Sequence, residues 1–263
     1  MSSRIHSLAV IEAGAAIGEG CDVGPFCHVG PQVHLGSGTR LHSHVVVDGN
    51  TTVGENCEIF SFACIGKRTQ DLKYKGGKAY VEIGARTTLR EYVTVHASTL
   101  DGGKTVIGND CNILAYCHLA HDCVLGERVI MSNNTQLAGH VIIEDRVVFG
   151  GMVGVVQFVH IGRLAMIGAT AKVVQDIAPY VLADGSPALP VTINKIGLER
   201  NNFTPEQIRT LAQVFKLFFR SNLRAEEAVT RLRAEFPDVP EVAHFIAFVQ
   251  ASQRGIARPK TDQ

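Results

Sequence analysis

The sequence predicts a mainly β fold, in which a parallel β-helix of hexapeptide repeats is followed by a small α-helical domain. First, every sixth residue from Ile107 to Val173 is Ile, Leu, Met, Phe or Val, and the residue four places after each is small or β-branched. Second, the same series also occupies the first part of the chain, from Ile5 to Ile65. Third, the period ends after Ala178, and helix-start signals follow. One hexad cannot bury its own apolar face, so the repeats must stack.

Length and charge exclude several classes of protein. The chain has 263 residues, and its 25 Lys and Arg side chains are balanced by 25 Asp and Glu side chains. A balanced chain has no overall field that would attract nucleic acid or an anionic membrane, so we expect it to bind neither. The sequence has no apolar run of about 20 residues and no basic-then-apolar leader, and the hexads begin almost at the first residue. We therefore expect a cytoplasmic protein without a transmembrane segment.

The period also predicts the order of the elements. We expect the β-helix to cover residues 1–190, with loops at 66–82 and 100–106, where the period lapses, and a Pro-rich linker at 179–190. A helical domain would then occupy residues 191–263. Its first helix would start at the capping box Thr204-Pro205-Glu206-Gln207.

Stacking converts sequence spacing into neighbours in space. If three hexads make one turn of the prism, residues i and i+18 lie one above the other, about 4.8 Å apart. Six of the seven cysteines then occupy the small inward position of a hexad and are predicted to be buried apolar residues without metal. Only Cys64 is out of this frame.

The stretch His118-Leu119-Ala120-His121-Asp122 contains the most reactive groups. The stacking rule places His121 under Gly139 and Gly139 under Gln157, while Asp122 lies under His140. A carboxylate beside a histidine fixes the tautomer of a general base, and a glycine leaves a backbone N–H open to an oxyanion. We therefore predict acyl transfer without a covalent enzyme intermediate, with the His121 side chain pointing outward. A solvated surface histidine is the plain alternative. A zinc site at His118 and His121 is a second one, although their rings would lie on either side of a corner.

Several motifs resemble those of one enzyme family over nearly the whole chain. They are Q-D-L-K-Y at 70–74, H-L-A-H-D-C at 118–123, A-G-H-V at 138–141, G-G-M-x-x-V-x-Q-F at 150–158 and I-G-L-x-R at 196–200. The chain resembles the UDP-N-acetylglucosamine 3-O-acyltransferases of lipid A biosynthesis. That resemblance implies a left-handed parallel β-helix and a homotrimer with active sites between neighbouring prisms. The reaction would transfer an R-3-hydroxyacyl group from acyl carrier protein to the 3-hydroxyl of UDP-N-acetylglucosamine, with no cofactor and no metal.

The same resemblance implies a role for individual residues. His121 would be the general base, oriented by Asp122, and Gly139 would donate the oxyanion N–H. Six residues would bind the sugar nucleotide within one subunit, namely Asp71, Lys73, His96, His118, His140 and Gln157. Asn194 and Arg200 would reach the nucleotide from the adjacent subunit, and Ala169 would set the acyl-chain length.

Departures from the family pattern leave the substrate open. Val156 stands where the family has a histidine, Asn201 where it has a second arginine, Ile196 where it has an acidic residue, and Ala169 where it usually has glycine. A 3-amino-3-deoxy sugar nucleotide is an alternative acceptor, and another hexapeptide acyltransferase that uses acyl-coenzyme A is an alternative enzyme. A purely structural β-helix is a third possibility, but it would have no reason to place Asp122 under His140.

Overall fold

Short parallel strands of two to five residues stack into three sheets that form the sides of a prism. The structure is a computed structural model and describes residues 2–259. Among these residues there are 28 strands, numbered β1 to β28 in chain order, and each sheet takes every third strand of the prism. This is the left-handed hexapeptide β-helix, and it confirms the predicted fold class.

The three sheets have the following strands. The first sheet consists of β1 Arg4–Ile5, β4 Asp22–Val23, β7 Arg40–Leu41, β10 Glu58–Ile59, β13 Thr88–Leu89, β16 Asn112–Ile113, β19 Ile130–Met131, β22 Val148–Phe149, β25 Met166–Ile167, β27 Val181–Asp184 and β28 Leu189–Ile193. The second consists of β2 Val10–Ile11, β5 His28–Val29, β8 Val46–Val47, β11 Cys64–Lys67, β14 Thr94–His96, β17 His118–Leu119, β20 Gln136–Leu137, β23 Gly154–Val155 and β26 Lys172–Val173. The third consists of β3 Ala16–Ile17, β6 His34–Leu35, β9 Asn50–Val53, β12 Tyr80–Ile83, β15 Lys104–Ile107, β18 Val124–Leu125, β21 Ile142–Ile143 and β24 His160–Ile161.

The strand register confirms the stacking rule and locates the excluded loops. Asn112 pairs with Ile130, three hexads further along the chain. Across the two lapses the offset grows, because Glu58 pairs with Thr88, five hexads later, and Thr88 pairs with Asn112, four hexads later. The extra residues leave the wall as loops at 68–79 and 97–103, between consecutive strands.

Inward side chains fill the prism, and corner side chains point away from it. The hexad residues Ile113, Leu119 and Leu125 are each at most 1% exposed, and the six in-frame cysteines are buried as predicted. The second residue of a corner takes the left-handed conformation, as at Asp122 with φ 62°. Corner side chains of successive turns therefore stack in columns outside the wall.

The C-terminal part differs in detail from its prediction. The segment expected to be a linker forms an antiparallel hairpin of β27 and β28 that extends the first sheet, so the expected boundary at residue 190 falls within β28. Up to residue 259, four helices follow, namely α1 Lys195–Arg200, α2 Pro205–Phe219, α3 Ala225–Glu235 and α4 Pro240–Ala251. The predicted capping box of α2 is present, whereas the short helix α1 was not predicted.

Polar contacts attach the helices to the end of the prism. The Glu144 carboxylate lies 2.8 Å from Nε2 of His244 in α4 and 3.0 Å from Nε2 of His160 in β24. Burial would raise the pKa of Glu144, but the contacts with His160 and His244 and the hydrogen bond from the Arg163 N–H outweigh it and lower the pKa to about 2. Within residues 2–259, none of the helices has the length and apolarity needed to cross a membrane.

Candidate active site

One corner of the prism and the 68–79 loop enclose a cleft of about 310 Å³. Successive coils supply its floor, because β14, β17 and β20 are neighbours in the second sheet. Seven of the residues implicated by sequence line the cleft or its rim. The cleft is lined by Gln70, Asp71, Lys73, His96, His118, Ala120, His121, Ala138, Gly139 and Gln157.

The His121 imidazole forms a hydrogen-bonded pair with the adjacent carboxylate. Its Nδ1 lies 2.8 Å from Oδ2 of Asp122, which can accept but not donate when it is ionised. Nδ1 therefore carries the hydrogen, and Nε2 keeps its lone pair. Nε2 has no hydrogen-bond partner within residues 2–259, and the closest carboxylate oxygen, Oδ2 of Asp71, is 3.6 Å away. This arrangement is suited to taking a proton from a bound hydroxyl group.

Several donors keep Asp122 ionised. Ser98 donates to Oδ1, while the hydroxyl and the backbone N–H of Thr99 donate to Oδ2 at 2.7 and 3.2 Å. Burial would raise the pKa of Asp122, but the hydrogen bonds from Ser98, Thr99 and His121 outweigh it and hold the pKa below its usual value. Nε2 of His140 is 3.6 Å from the same Oδ2, beyond hydrogen-bonding distance.

Gly139 lies directly against the His121 ring. A Cβ atom built at this position would be 2.5 Å from Nε2 of His121, so only glycine leaves room for the ring. The Gly139 N–H makes no hydrogen bond within residues 2–259. Gly151, which has the same place in its own corner, also leaves its N–H free of described partners. The distinguishing feature of Gly139 is therefore the His121 ring beside it.

Two further histidines line the cleft in their neutral form. Burial lowers the pKa of His118 to about 4, with smaller contributions from His96 and His121. Burial also lowers the pKa of His96, and His121 adds to this effect. Nδ1 of His118 is 2.7 Å from the Thr94 hydroxyl, which fixes the ring. Both imidazoles can therefore form neutral hydrogen bonds with a polar ligand.

The 68–79 loop covers the His121 side chain. His121 does point away from the prism interior, but it is only 6% exposed, because the loop and neighbouring side chains shield it. Asp71 orders the loop locally by accepting the Lys73 N–H at 2.8 Å. The Lys73 side chain is exposed at the rim of the cleft.

The remaining implicated residues lie elsewhere in the chain. Asn194 and Arg200 line a second cleft of about 520 Å³, between α1 and the outer face of the first sheet. Arg128 and Arg146 line the same cleft, together with apolar side chains of β19, β22 and β25. Ala169 lies at the corner between β25 and β26. Within one chain, none of these three implicated residues lines the His121 cleft.

Three of the clustered side chains could also coordinate a metal ion. His121, Asp122 and His140 each offer a ligand atom, and these atoms lie within 4.8 Å of one another. Hydrogen bonds already occupy the Asp122 oxygens, since Ser98 and Thr99 donate to them as well as His121. These hydrogen bonds account for the positions of the Asp122 and His121 side chains.

Sequence reasoning missed the residues that hold the histidines. The stacking rule places Lys104, 18 positions earlier, next to Asp122. The residue that contacts the Asp122 carboxylate is instead Ser98, 24 positions earlier. The 97–103 loop adds one hexad to this coil, so the offset there is four hexads instead of three. Correcting the stacking rule for the lapse in the period would have found both Ser98 and Thr94.

Comparisons with known proteins show which family the chain resembles. The family described as UDP N-acetylglucosamine O-acyltransferase, domain 2, matches residues 176–257, and the bacterial transferase hexapeptide family matches residues 104–139. Among curated proteins, the acyl-(acyl-carrier-protein)–UDP-N-acetylglucosamine O-acyltransferase of Anaeromyxobacter sp. strain K is 44% identical over 190 residues, 72% of this chain and 74% of the relative. The enzyme of the same name from Janthinobacterium sp. strain Marseille is 46% identical over 194 residues, again 72% and 74% of the two chains.

Solved structures extend the similarity to nearly the whole chain. The UDP-N-acetylglucosamine acyltransferase of Francisella novicida superposes with a TM-score of 0.95 at 36% identity, covering 98% of this chain and 95% of that one. LpxA from Acinetobacter baumannii superposes with a TM-score of 0.94 at 42% identity, covering 97% and 99%.

Proposed function

The chain belongs to the UDP-N-acetylglucosamine O-acyltransferase family, and from this premise we propose how its own residues carry out acyl transfer. As a member, it is an acyl-(acyl-carrier-protein)–UDP-N-acetylglucosamine O-acyltransferase and acts at the first step of lipid A biosynthesis. Its substrates are thus an acylated carrier protein and a UDP-sugar. The finer proposal is that the acyl group is R-3-hydroxyacyl and that His121 is the general base for direct attack by the sugar 3-hydroxyl.

The tautomer of His121 is the observation that carries this proposal. Asp122 holds the hydrogen on Nδ1, which leaves the lone pair of Nε2 at the cleft. As the 3-hydroxyl attacks the thioester carbonyl, Nε2 takes its proton, and Asp122 stabilises the imidazolium that forms. When the tetrahedral intermediate collapses, the carrier thiolate leaves and takes the proton from His121, so that the base is regenerated.

Gly139 is suited to the developing negative charge. Its N–H has no partner among the described residues and lies beside the base, so it can donate to the oxyanion of the same intermediate. Lys73 supplies a cation at the rim that suits the diphosphate, while Asp71, His96, His118 and Gln157 surround the sugar. His140 contacts the ring of His121 edge-on, with centroids 5.1 Å apart, and supports its position.

The lining of the cleft favours direct transfer over a covalent enzyme intermediate. Within the described part of the chain, that lining contains no serine, threonine or cysteine, and the cysteines that flank the histidines in sequence, Cys117 and Cys123, point into the prism. Burial raises the pKa of Cys123 to about 12 and that of Cys117 to about 11, so neither thiol is ionised at neutral pH. The sugar hydroxyl is then the only nucleophile required.

A homotrimer would complete the site. Asn194 and Arg200 line a cleft on a different part of the surface, so a neighbouring subunit would bring its copy to the His121 cleft. The corner between the first and second sheets supports self-association. It carries a column of stacked rings with centroids 4.8–5.0 Å apart, consisting of Phe26, His44, Phe62, Tyr92 and Tyr116. Such an exposed apolar ridge is typical of an interface. Within the trimer, Ala169 would limit the length of the acyl group.

Product analysis tests the proposed substrates. The purified protein is incubated with UDP-N-acetylglucosamine and a panel of R-3-hydroxyacyl carrier proteins, and the products are identified by mass spectrometry. We expect a single R-3-hydroxyacyl ester on the sugar. A faster reaction with the 3-amino sugar nucleotide, giving an amide that resists mild base, would replace the proposed acceptor, and equal rates with acyl-coenzyme A would remove the carrier protein as donor. EDTA treatment is expected to leave the rate unchanged.

A further inference from the structure

The loop at 97–103 supplies donors to the Asp122 carboxylate that belong to neither the substrate cleft nor the base. Ser98 is 1% exposed and donates to Oδ1. The Thr99 hydroxyl donates to Oδ2 at 2.7 Å, and its N–H donates to the same oxygen at 3.2 Å. Oδ2 is also the oxygen that accepts from Nδ1 of His121.

We propose that Thr99, assisted by Ser98, is a positioning residue that holds Asp122 in the orientation needed by His121. This inference rests on the proposed role of His121 as the base. Thr99 is not among the residues that line the His121 cleft, so its effect is through the carboxylate. Its hydroxyl and N–H together fix the plane of the carboxylate, so that Oδ2 stays directed at Nδ1.

A competing partner shows why such a clamp is needed. Nε2 of His140 lies 3.6 Å from Oδ2 of Asp122, only slightly beyond hydrogen-bonding distance. The Asp122 side chain is 8% exposed, so little water is present to compete for its lone pairs. Without the Thr99 hydroxyl, a small rotation of the carboxylate brings Oδ2 to His140 and away from His121. Nδ1 of His121 then loses its fixed acceptor, and Nε2 no longer holds a defined lone pair.

The loop that carries these donors is itself anchored. Asp101 accepts the Lys78 N–H at 2.7 Å, and the Lys78 carbonyl accepts the Gly102 N–H at 2.8 Å. The Ser98 hydroxyl also accepts the Leu100 N–H at 2.9 Å, which turns the loop back on itself. Donors fixed in this way need no reorganisation when the imidazolium forms, which is the condition for electrostatic preorganisation.

Thr99→Val removes the hydroxyl while keeping the side-chain shape. We expect kcat to fall by about tenfold, since a hydrogen bond to a charged group is lost, while KM for UDP-N-acetylglucosamine changes by less than about twofold. The acid limb of the kcat profile is expected to move to lower pH, because a carboxylate turned towards His140 no longer stabilises the imidazolium of His121. Thr99→Ser restores the hydroxyl and is expected to recover kcat to within about twofold of the unaltered enzyme.

Thr135→Val is the matched control. Thr135 is fully buried in the same prism, and its hydroxyl donates only to the backbone carbonyls of Ser132 and Gly150. The positioning role is refuted if Thr99→Val has the same kcat and pH profile as Thr135→Val. It is also refuted if kcat of Thr99→Val falls while the acid limb stays in place and Thr99→Ser does not recover kcat. If Thr99→Val fails to fold, Ser98→Ala provides the same test, because it removes the hydroxyl that donates to Oδ1 of Asp122.

His121→Ala measured in parallel separates this inference from the proposed function. Substantial turnover by His121→Ala would remove the base and the clamp together. An inactive His121→Ala beside an unaffected Thr99→Val would leave the base in place and remove only the clamp.

Discussion

Replacing Gly139 with alanine tests the geometry around His121, the proposed base. The added Cβ would be 2.5 Å from Nε2 of His121, whereas ordinary van der Waals contact begins at 3.4 Å. The ring must therefore move by about 1 Å, since the backbone at Gly139 belongs to the stacked wall and is less free to shift. That movement breaks the 2.8 Å contact between Nδ1 and Asp122. A displacement of this size in a catalytic group costs on the order of 100-fold in rate, so we expect kcat to fall by about that factor.

The assay is release of the carrier thiol, measured together with KM for the sugar nucleotide and the melting temperature. Gly151→Ala is the matched control, because Gly151 has the same corner position and the nearest atom to its added Cβ is 3.5 Å away. Ala169 already occupies the equivalent position one coil further on, so alanine fits this corner. A kcat of Gly139→Ala within about threefold of that of Gly151→Ala would show that the added methyl group does not displace His121.

Three other substitutions test the rim of the His121 cleft, the contact between the prism and the helices, and the surface proposed for self-association. Lys73→Ala is expected to raise KM for UDP-N-acetylglucosamine by about tenfold or more with kcat little changed, because the diphosphate loses one cationic partner. Steady-state kinetics measures both constants. An unchanged KM would show that the 68–79 loop does not bind the sugar nucleotide. Glu144→Gln is expected to lower the free energy of unfolding at pH 7 by about 2–3 kcal/mol. Burial would raise the pKa of Glu144, but its histidine and backbone partners outweigh burial and lower the pKa from 4.5 to about 2 in the folded protein. The stabilisation by the Glu144 carboxylate is therefore fully present above pH 4.5 and is lost as the pH falls towards 2. Denaturation curves at several pH values would contradict this if the difference between variant and parent did not shrink on acidification. Replacing Tyr92 and Tyr116 together with serine is expected to shift the proposed trimer towards monomers in light scattering. An unchanged mass would place any interface elsewhere on the surface.

The regular part of the fold could be predicted from the sequence because each hexad repeats the same constraint. An inward large residue and an inward small residue recur every six residues, and neither an α-helix nor an ordinary β-strand has that period. The stacking of His121 with Gly139 and of Asp122 with His140 followed directly, since no loop interrupts the coils between them. The His140 N–H indeed donates to the His121 carbonyl at 3.0 Å.

The parts that escaped prediction lie where the period is interrupted. Ser98 and Thr99 were missed because the loop that contains them changes the offset between coils from three hexads to four. The burial of His121 was missed for a related reason, since the covering loop at 68–79 has no period from which its path could be derived. Long-range contacts of such loops depend on a few hydrogen bonds, such as Lys78 with Asp101, that leave no pattern in the sequence.

The C-terminal end shows the limits of local signals. Pro179, Pro187 and Pro190 favoured a linker, but the last two are accommodated in and beside the hairpin of β27 and β28, at the edge of the first sheet. The helix α1 is short and contains Gly197, so neither length nor propensity marked it. Its first turn is held by the Asn194 side chain, which accepts the Gly197 N–H at 3.1 Å.

The central claim is that His121 removes the proton from the acceptor hydroxyl, and the kcat of His121→Ala tests it most directly. The variant is assayed with R-3-hydroxyacyl carrier protein and UDP-N-acetylglucosamine across the pH range, with its oligomeric state checked in the same preparation. Loss of kcat by at least about 100-fold, together with loss of the acid limb of the pH profile, is the predicted result. Turnover within about tenfold of the parent enzyme, in an intact assembly, would show that another group moves the proton.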